Sequence, residues 1–316
     1  MRVARLQQLM LAAQLAGALL VAASLAYGTE LEPVWAVGAG LLTPIGTHAA
    51  VIGAHFVAAA RARKRLDPSA PPWRAGQTLR AFAGEVRASI LTFAINQPLR
   101  SRYRIEPRAA PAPGPAQAAA IPVLLIHGYF CNRGLWRGFA GELAAAGHPV
   151  AAIDLEPPFG SIDDYAPAVA EAIAALRARC GIAQVALVCH SMGGLAARAY
   201  ARRYGTEAVA LLVTLGTPHH GTAHARMGIG ANARQMRPAS DWLQALARGE
   251  DPALRARMLC ILTDHDNIVS PQSSARLEGT RVIELAALGH VELALDAGVR
   301  ATIRAELARA GSTLQK

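Results

Sequence analysis

The sequence predicts an α/β fold, a mostly parallel sheet with helices on both faces, preceded by two transmembrane helices. Three observations carry that prediction. From Ile121 onward, short apolar runs alternate with stretches of helical spacing, the pattern of strands buried on both faces of a sheet. The first 66 residues hold two long stretches without a charged side chain. One of the short apolar runs leads straight into His190-Ser191-Met192-Gly193-Gly194 and then a helical stretch, a strand–turn–helix arrangement that carries chemistry in many enzymes.

The elements follow in chain order. No residue between Arg5 and Glu30 is charged, nor any between Glu32 and Arg61. Each stretch exceeds the roughly 20 residues a helix needs to cross a bilayer, so residues 1–66 read as a transmembrane hairpin with spans at about 6–28 and 34–60. A signal peptide is the competing reading of the first stretch, with Arg2 and Arg5 as its basic start. Arg2 and Arg5 precede the first span, Arg61, Arg63, Lys64 and Arg65 follow the second, and the connection holds only Glu30 and Glu32. Cationic flanks stay inside, so both ends of the hairpin, and the domain that follows, are expected on the cytoplasmic side. Pro44, Thr43, Thr47, His48 and His55 make the second span the less regular one. If it were only interfacial, the domain would lie outside. His48 and His55 are ionisable groups at membrane depth, functional candidates by default, with polar contacts as the plainer alternative.

Residues 67–106 form an amphipathic helical segment, with Leu79, Phe82, Val86, Ile90 and Phe93 at helical spacing. It either lies on an anionic membrane surface or packs on the domain. Residues 107–120 are a Pro/Ala linker. Charge sorts along the same boundary. Residues 1–115 hold 13 Lys+Arg against 5 Asp+Glu, and the remaining 201 hold 19 against 17, so eight of the ten net positive charges are N-terminal. This distribution, with no base-reading motif, argues against nucleic acid as a partner and points to a membrane. A content of 53% hydrophobic residues excludes a disordered chain. The four cysteines show no evident pairing, in keeping with a reducing compartment.

Residues 121–316 form the α/β domain. Strands are expected at Pro122–Ile126, Val150–Ile153, Val185–Cys189, Ala210–Leu215 and Met258–Leu262, with a weaker sixth at Val282–Glu284. Helices are expected at Leu135–Ala146, Ile162–Cys180, Gly193–Tyr204, Asp241–Ala247 and Leu293–Ala310. Ser191 sits where a nucleophile elbow needs a small-residue turn, with Cys189 at the position usually held by Gly. An acid and a histidine are then expected in that order. Asp266, after the Met258–Leu262 run, is the favoured acid and Asp264 its rival, while His290 stands beside Gly289 ahead of the last helix. His290 would take the Ser191 proton and Asp266 would fix its tautomer. The main-chain N–H groups of Tyr129 and Met192 would form the oxyanion hole. His127 is read as shaping its loop and His190 as structural, pointing away from the nucleophile. His219 and His220 lack a carboxylate cluster for a metal, and residues 223–255 form either a lid or pocket wall or a plain excursion packed on the sheet.

Together, His127-Gly128-Tyr129, the His-Ser-Met-Gly-Gly of 190–194, Asp266-Asn267-Ile268-Val269 and Gly289-His290 resemble the α/β-hydrolase superfamily. Leu215–Thr222 resembles a loop of small bacterial lipases and esterases. The resemblance spans roughly 121–310 and implies a serine hydrolase that cleaves carboxylic esters through an acyl-enzyme on Ser191. No cofactor is implied. The substrate class would be an ester or lipid-like small molecule, and the location a bacterial inner membrane with the domain facing the cytoplasm. An acyltransferase or thioesterase could use the same triad, and a non-catalytic membrane protein with a degenerate domain is a third reading.

Overall fold

A computed structural model describes residues 2–100 and 120–313. The end of the amphipathic segment (101–106) and the linker, except Ala120, lie outside the described residues.

Helices α1 (Val3–Gly28) and α2 (Pro33–Leu66) form a hairpin, and both are long and apolar enough to cross a membrane. Gly40 lets them close: a Cβ there would lie 2.7 Å from the Ala18 carbonyl and from Ala22 Cβ, the small-residue contact common between membrane helices. α2 continues through Pro44. Its last turns leave the hairpin and bury Ile52 and Phe56 against Trp73, Ala81, Phe82 and Val86. His48 and His55 make contacts outside the hairpin. His48 Nε2 pairs with Ser89 Oγ at 2.7 Å, and the His55 ring meets His224 edge-on at 5.6 Å.

Helix α3 (Ala75–Ile90) packs on the domain, then passes through a π-helical turn (Leu91–Asn96) into the short α4 (Gln97–Arg100). Of the apolar stripe read in the sequence, Phe82 and Val86 pack half-buried against Ile52 and Phe56, while the fully buried positions are others. Ala81, Glu85, Ala88 and Ser89 are buried, while Leu79 is 67% exposed. Small side chains allow close approach to the domain, so the interface selects for size over hydrophobicity.

The sheet has six strands: β1 (Val123–Ile126), β2 (Val150–Ile153), β3 (Val185–His190), β4 (Val209–Leu215), β5 (Met258–Thr263) and β6 (Arg281–Leu285). All neighbours are parallel, in the order β2-β1-β3-β4-β5-β6. The intervening helices are α5 (Arg137–Ala145), α6 (Ala166–Cys180), α7 (Met192–Tyr204), α8 (Gly230–Gln235), α9 (Asp241–Arg248), α10 (Pro252–Ala256), α11 (Glu292–Leu295) and α12 (Ala297–Thr313). Leu124, Ile126, Leu187 and Cys189 meet α6 and α7 on one face of the sheet. Val123, Leu125, Ala186 and Val188 meet α5 and α12 on the other. Strand order reverses between β1 and β3, and the carboxyl ends of strands at such a switch point are where open parallel sheets bind ligands. Most of residues 223–255 packs on the core through Met236, Leu243 and Leu246, whereas Met227 and Ile229 stay exposed.

Candidate active site

Ser191 closes β3 and opens α7 with φ 54° and ψ −127°, a region of high backbone strain for a residue with a side chain. Its surroundings explain why the following residues are glycine. A Cβ on Gly193 would lie 2.6 Å from the carbonyls of Ile126 and His127, and one on Gly194 would run into the Thr217 side chain. Two bonds brace the turn: Ser191 N–H donates to the Leu215 carbonyl at 2.8 Å, and Thr217 Oγ1 donates to the Ser191 carbonyl at 2.8 Å. Cys189 is buried in the α6/α7 side of the core and fits where a glycine is usual.

The loop after β1 lies directly against this turn. A Cβ on Gly128 would come within 2.8 Å of Ser191 Cβ and 3.3 Å of its Oγ, so the Gly128 backbone borders the hydroxyl. Met192 is the first residue of α7, next to the same hydroxyl. His127 holds the loop. Its Nε2 accepts the Leu155 N–H at 3.0 Å, which leaves Nδ1–H to donate to the Gly128 carbonyl at 2.8 Å. Burial keeps its pKa below the ordinary value, so the ring is neutral and fully engaged. Tyr129 turns its hydroxyl outward, donating to the Ile229 carbonyl at 3.0 Å and accepting the Ile229 N–H at 3.1 Å. That links the 223–229 segment to the site, and the rings of Tyr129, Phe130 and Phe159 gather beside it.

Asp266 and His290 meet across the ends of β5 and β6, with His290 Nδ1 donating to Asp266 Oδ2 at 2.8 Å. The other carboxylate oxygen accepts the N–H groups of Ile268 at 2.8 Å and Val269 at 2.7 Å. With Nδ1 committed as donor, Nε2 is the proton acceptor. Burial opposes charge on His290, but the Asp266 carboxylate, its hydrogen bond and the charge of Glu85 together hold the pKa above the ordinary histidine value. Asp264 has another role: it pairs with Arg63 at 2.8 Å, and its carbonyl accepts Trp73 Nε1–H at 2.6 Å.

The serine and the Asp–His pair converge on Gly216. The residue before it supplies the carbonyl that holds Ser191 N–H, and a Cβ on Gly216 (φ 54°) would lie 3.0 Å from Asp266 Oδ2 and 3.2 Å from His290 Nδ1. His190 points toward this pair and not away from it. Its Nε2–H donates to the His290 carbonyl at 3.0 Å, with the rings 4.6 Å apart. Burial, then the His290 charge, pushes its pKa down to about 3, so it serves as a neutral donor. His219 is likewise structural. It accepts from Arg198, which forms a buried pair with Glu250 at 2.5 Å. Among the described residues no group of three metal-ligating side chains occurs.

The site also includes a residue the sequence did not single out. Glu85 of α3 is buried and accepts the N–H groups that follow His290, from Val291 at 2.9 Å and Glu292 at 3.0 Å. A lone Glu on an amphipathic helix reads as a solvent-facing charge, so no local signal marks it.

Residues 121–237 match a protein-family model described as alpha/beta hydrolase fold. Among solved structures, the mature form of the lipase BlEst2 from Bacillus licheniformis aligns with a TM-score of 0.56 at 17% identity, covering 65% of this chain and 98% of that one. The propeptide form of the same lipase aligns with a TM-score of 0.55 at 17% identity, covering 65% of this chain and 53% of that longer one. No curated protein matches the sequence. The sheet domain of this chain thus has the α/β-hydrolase fold.

Proposed function

We propose that this protein is a membrane-anchored serine hydrolase that cleaves carboxylic esters of lipid-like substrates through an acyl-enzyme on Ser191. The observation that carries the reading is the Asp266–His290 bond of 2.8 Å, joined through Gly216 to a strained serine at the carboxyl edge of the sheet. His290 Nε2 removes the Ser191 proton as the hydroxyl attacks the ester carbonyl, then returns it to the leaving alcohol; Asp266 holds the tautomer and stabilises the imidazolium. The main-chain N–H groups of Tyr129 and Met192 receive the oxyanion, each worth roughly 3 kcal/mol. Water activated by the same histidine then hydrolyses the acyl-enzyme.

A lipid-like substrate is supported by how the N-terminal helices dock on the edge of the sheet that bears the site. Val3 N–H donates to Glu156 after β2, Gln7 Nε2–H to the Phe130 carbonyl after β1, and Arg63 pairs with Asp264 after β5. An anchored hairpin would therefore hold the site mouth, with exposed Met227 and Ile229, toward the bilayer. The cationic flanks support a bacterial inner-membrane location with the domain on the cytoplasmic side.

Labelling with a fluorophosphonate and hydrolysis of p-nitrophenyl esters from acetate to palmitate test the reading. Ser191→Ala is expected to abolish labelling and lower kcat by roughly 10⁴-fold or more. An unlabelled wild type, or labelling that survives the substitution, sinks the serine mechanism. A preference for acetate over medium and long chains sinks the lipid-like substrate.

A further inference from the structure

The loop that carries His290 is held from three directions, and one of them is foreign to the hydrolase domain. His290 N–H donates to Asn267 Oδ1 at 3.0 Å, and its carbonyl receives His190 Nε2–H at 3.0 Å. The next two N–H groups find their acceptor 206 residues earlier in the chain. Val291 N–H reaches Glu85 Oε2 at 2.9 Å and Oε1 at 3.1 Å, and Glu292 N–H reaches Oε2 at 3.0 Å. Glu85 is 1% exposed. Two glycines allow so close a fit: a Cβ on Gly289 would lie 2.5 Å from Glu85 Cβ, and one on Gly84 would collide with the Glu292 carboxylate.

A buried carboxylate is costly unless something needs it, and a neutral side chain could cap two N–H groups as well. The charged groups around it show what the carboxylate adds. His290 and Asp266 face it from the site and Glu292 from α11, the Glu292 side chain itself pairing with Arg80 at 3.1 Å. One turn further along α3, Ser89 meets His48 of α2. Burial, opposed by His290 and the two N–H groups, raises the Glu85 pKa to about 7, so the group titrates in the range where His290 works.

We infer that Glu85 is a positioning residue for His290: from the anchor-side helix α3 it clamps the 289–292 backbone, and its negative charge favours the protonated imidazole. This rests on the serine-hydrolase reading above. It makes α3 part of the catalytic apparatus, so that the membrane-proximal segment and the triad work as one unit.

The test uses the full-length protein in detergent, with kcat, KM and the fluorophosphonate labelling rate measured from pH 5 to 10. Glu85→Gln can keep the one oxygen that accepts both N–H groups, at the cost of the longer Val291 contact, and removes the charge. It is expected to move the acid limb of kcat/KM to lower pH by on the order of half a unit, because His290 loses a neighbouring anion. Glu85→Ala removes the clamp as well and is expected to lower kcat between about 10- and 100-fold with KM nearly unchanged. If Glu85→Ala fails to fold, the acid limb of Glu85→Gln decides alone. An acid limb that coincides with wild type overturns the inference, as does a Glu85→Ala enzyme with wild-type kcat. A wild type that neither labels nor turns over sinks the hydrolase reading and this inference together. A wild type that labels normally while the variants match it at every pH sinks this inference alone.

Discussion

Asp266 divides its carboxylate between two tasks, one oxygen for His290 and the other for the N–H groups of Ile268 and Val269. An amide at this position can satisfy only part of that pattern, because its NH₂ must face either the imidazole Nδ1 or the two backbone donors. Asp266→Asn is therefore expected to leave His290 in the wrong tautomer and lower kcat by about 10⁴-fold, with the circular dichroism spectrum retained. Asp264, two residues earlier, gives the contrasting outcome. Its partner Arg63 is nearly buried and keeps Gln272 Oε1 and the Pro71 carbonyl as acceptors. Asp264→Asn should leave kcat within a few-fold and cost about 1–3 kcal/mol of stability, read as a lower Tm. A collapse of kcat in Asp264→Asn, with Asp266→Asn active, would reverse the assignment of the two acids. The sequence favours Asp266 and keeps Asp264 as a rival, since both follow an apolar strand. What separates them is a partner on another element, which local pattern does not encode.

Strands β1, β3, β4 and β5 were readable because each is buried on both faces and leaves a continuous apolar run, and edge strand β2 is apolar throughout although Ala151 and Ile153 are only half-buried. β6 is an edge strand with Arg281, Val282 and Glu284 exposed, and its signal was correspondingly weak. The expected C-terminal helix is two helices, because the Asp296 side chain accepts Val299 N–H at 2.9 Å and starts α12 afresh. The three candidates Ser191, Asp266 and His290 were legible for a related reason: each stands at a strand end or beside glycine, where sequence pattern is informative. Glu85 and the inward turn of His190 were not, because their partners lie 206 and 100 residues away. α3 shows the limit most clearly, since hydrophobic spacing marks one stripe while the packed face is made of Ala81, Ala88 and Ser89 around a carboxylate. α2 carries a further consequence. Its 34 residues span about 51 Å, well beyond a hydrocarbon core of about 30 Å, so an α2 that crosses a bilayer from its N-terminal end would leave the turns around Phe56 outside it, shortening the 34–60 span expected from the sequence. Phe56 meets Trp73 and Phe82 with ring centroids 6.0 and 6.1 Å away. Phe56→Ala should cost about 3 kcal/mol, seen as a lower Tm and faster proteolysis near 67–74. An unchanged Tm would mean that this end of α2 is held by lipid instead.

At the scale of the molecule, charge and contacts agree on one orientation. Arg2 and Arg5 stand at the start of the hairpin and Arg61, Arg63, Lys64 and Arg65 at its end, and both ends touch the domain, Val3 at Glu156 and Arg63 at Asp264. The far tip holds Glu30 and Glu32 and no cation. A membrane-spanning hairpin whose two feet rest on one domain would put tip and domain on opposite faces of the membrane, and the positive-inside rule would then assign the tip to the outside. Single cysteines read this directly, because Cys131, Cys189 and Cys260 are buried and Cys180 is half-buried on the domain. Thr29→Cys, at the tip, should react with a membrane-impermeant maleimide in intact cells. Ser69→Cys, exposed beside the domain, should react only after the inner membrane is permeabilised. The reverse pattern would put the hydrolase domain outside. Labelling of both in intact cells would mean that the hairpin does not span the bilayer, and that the site meets lipid from the surface by its docked helices alone.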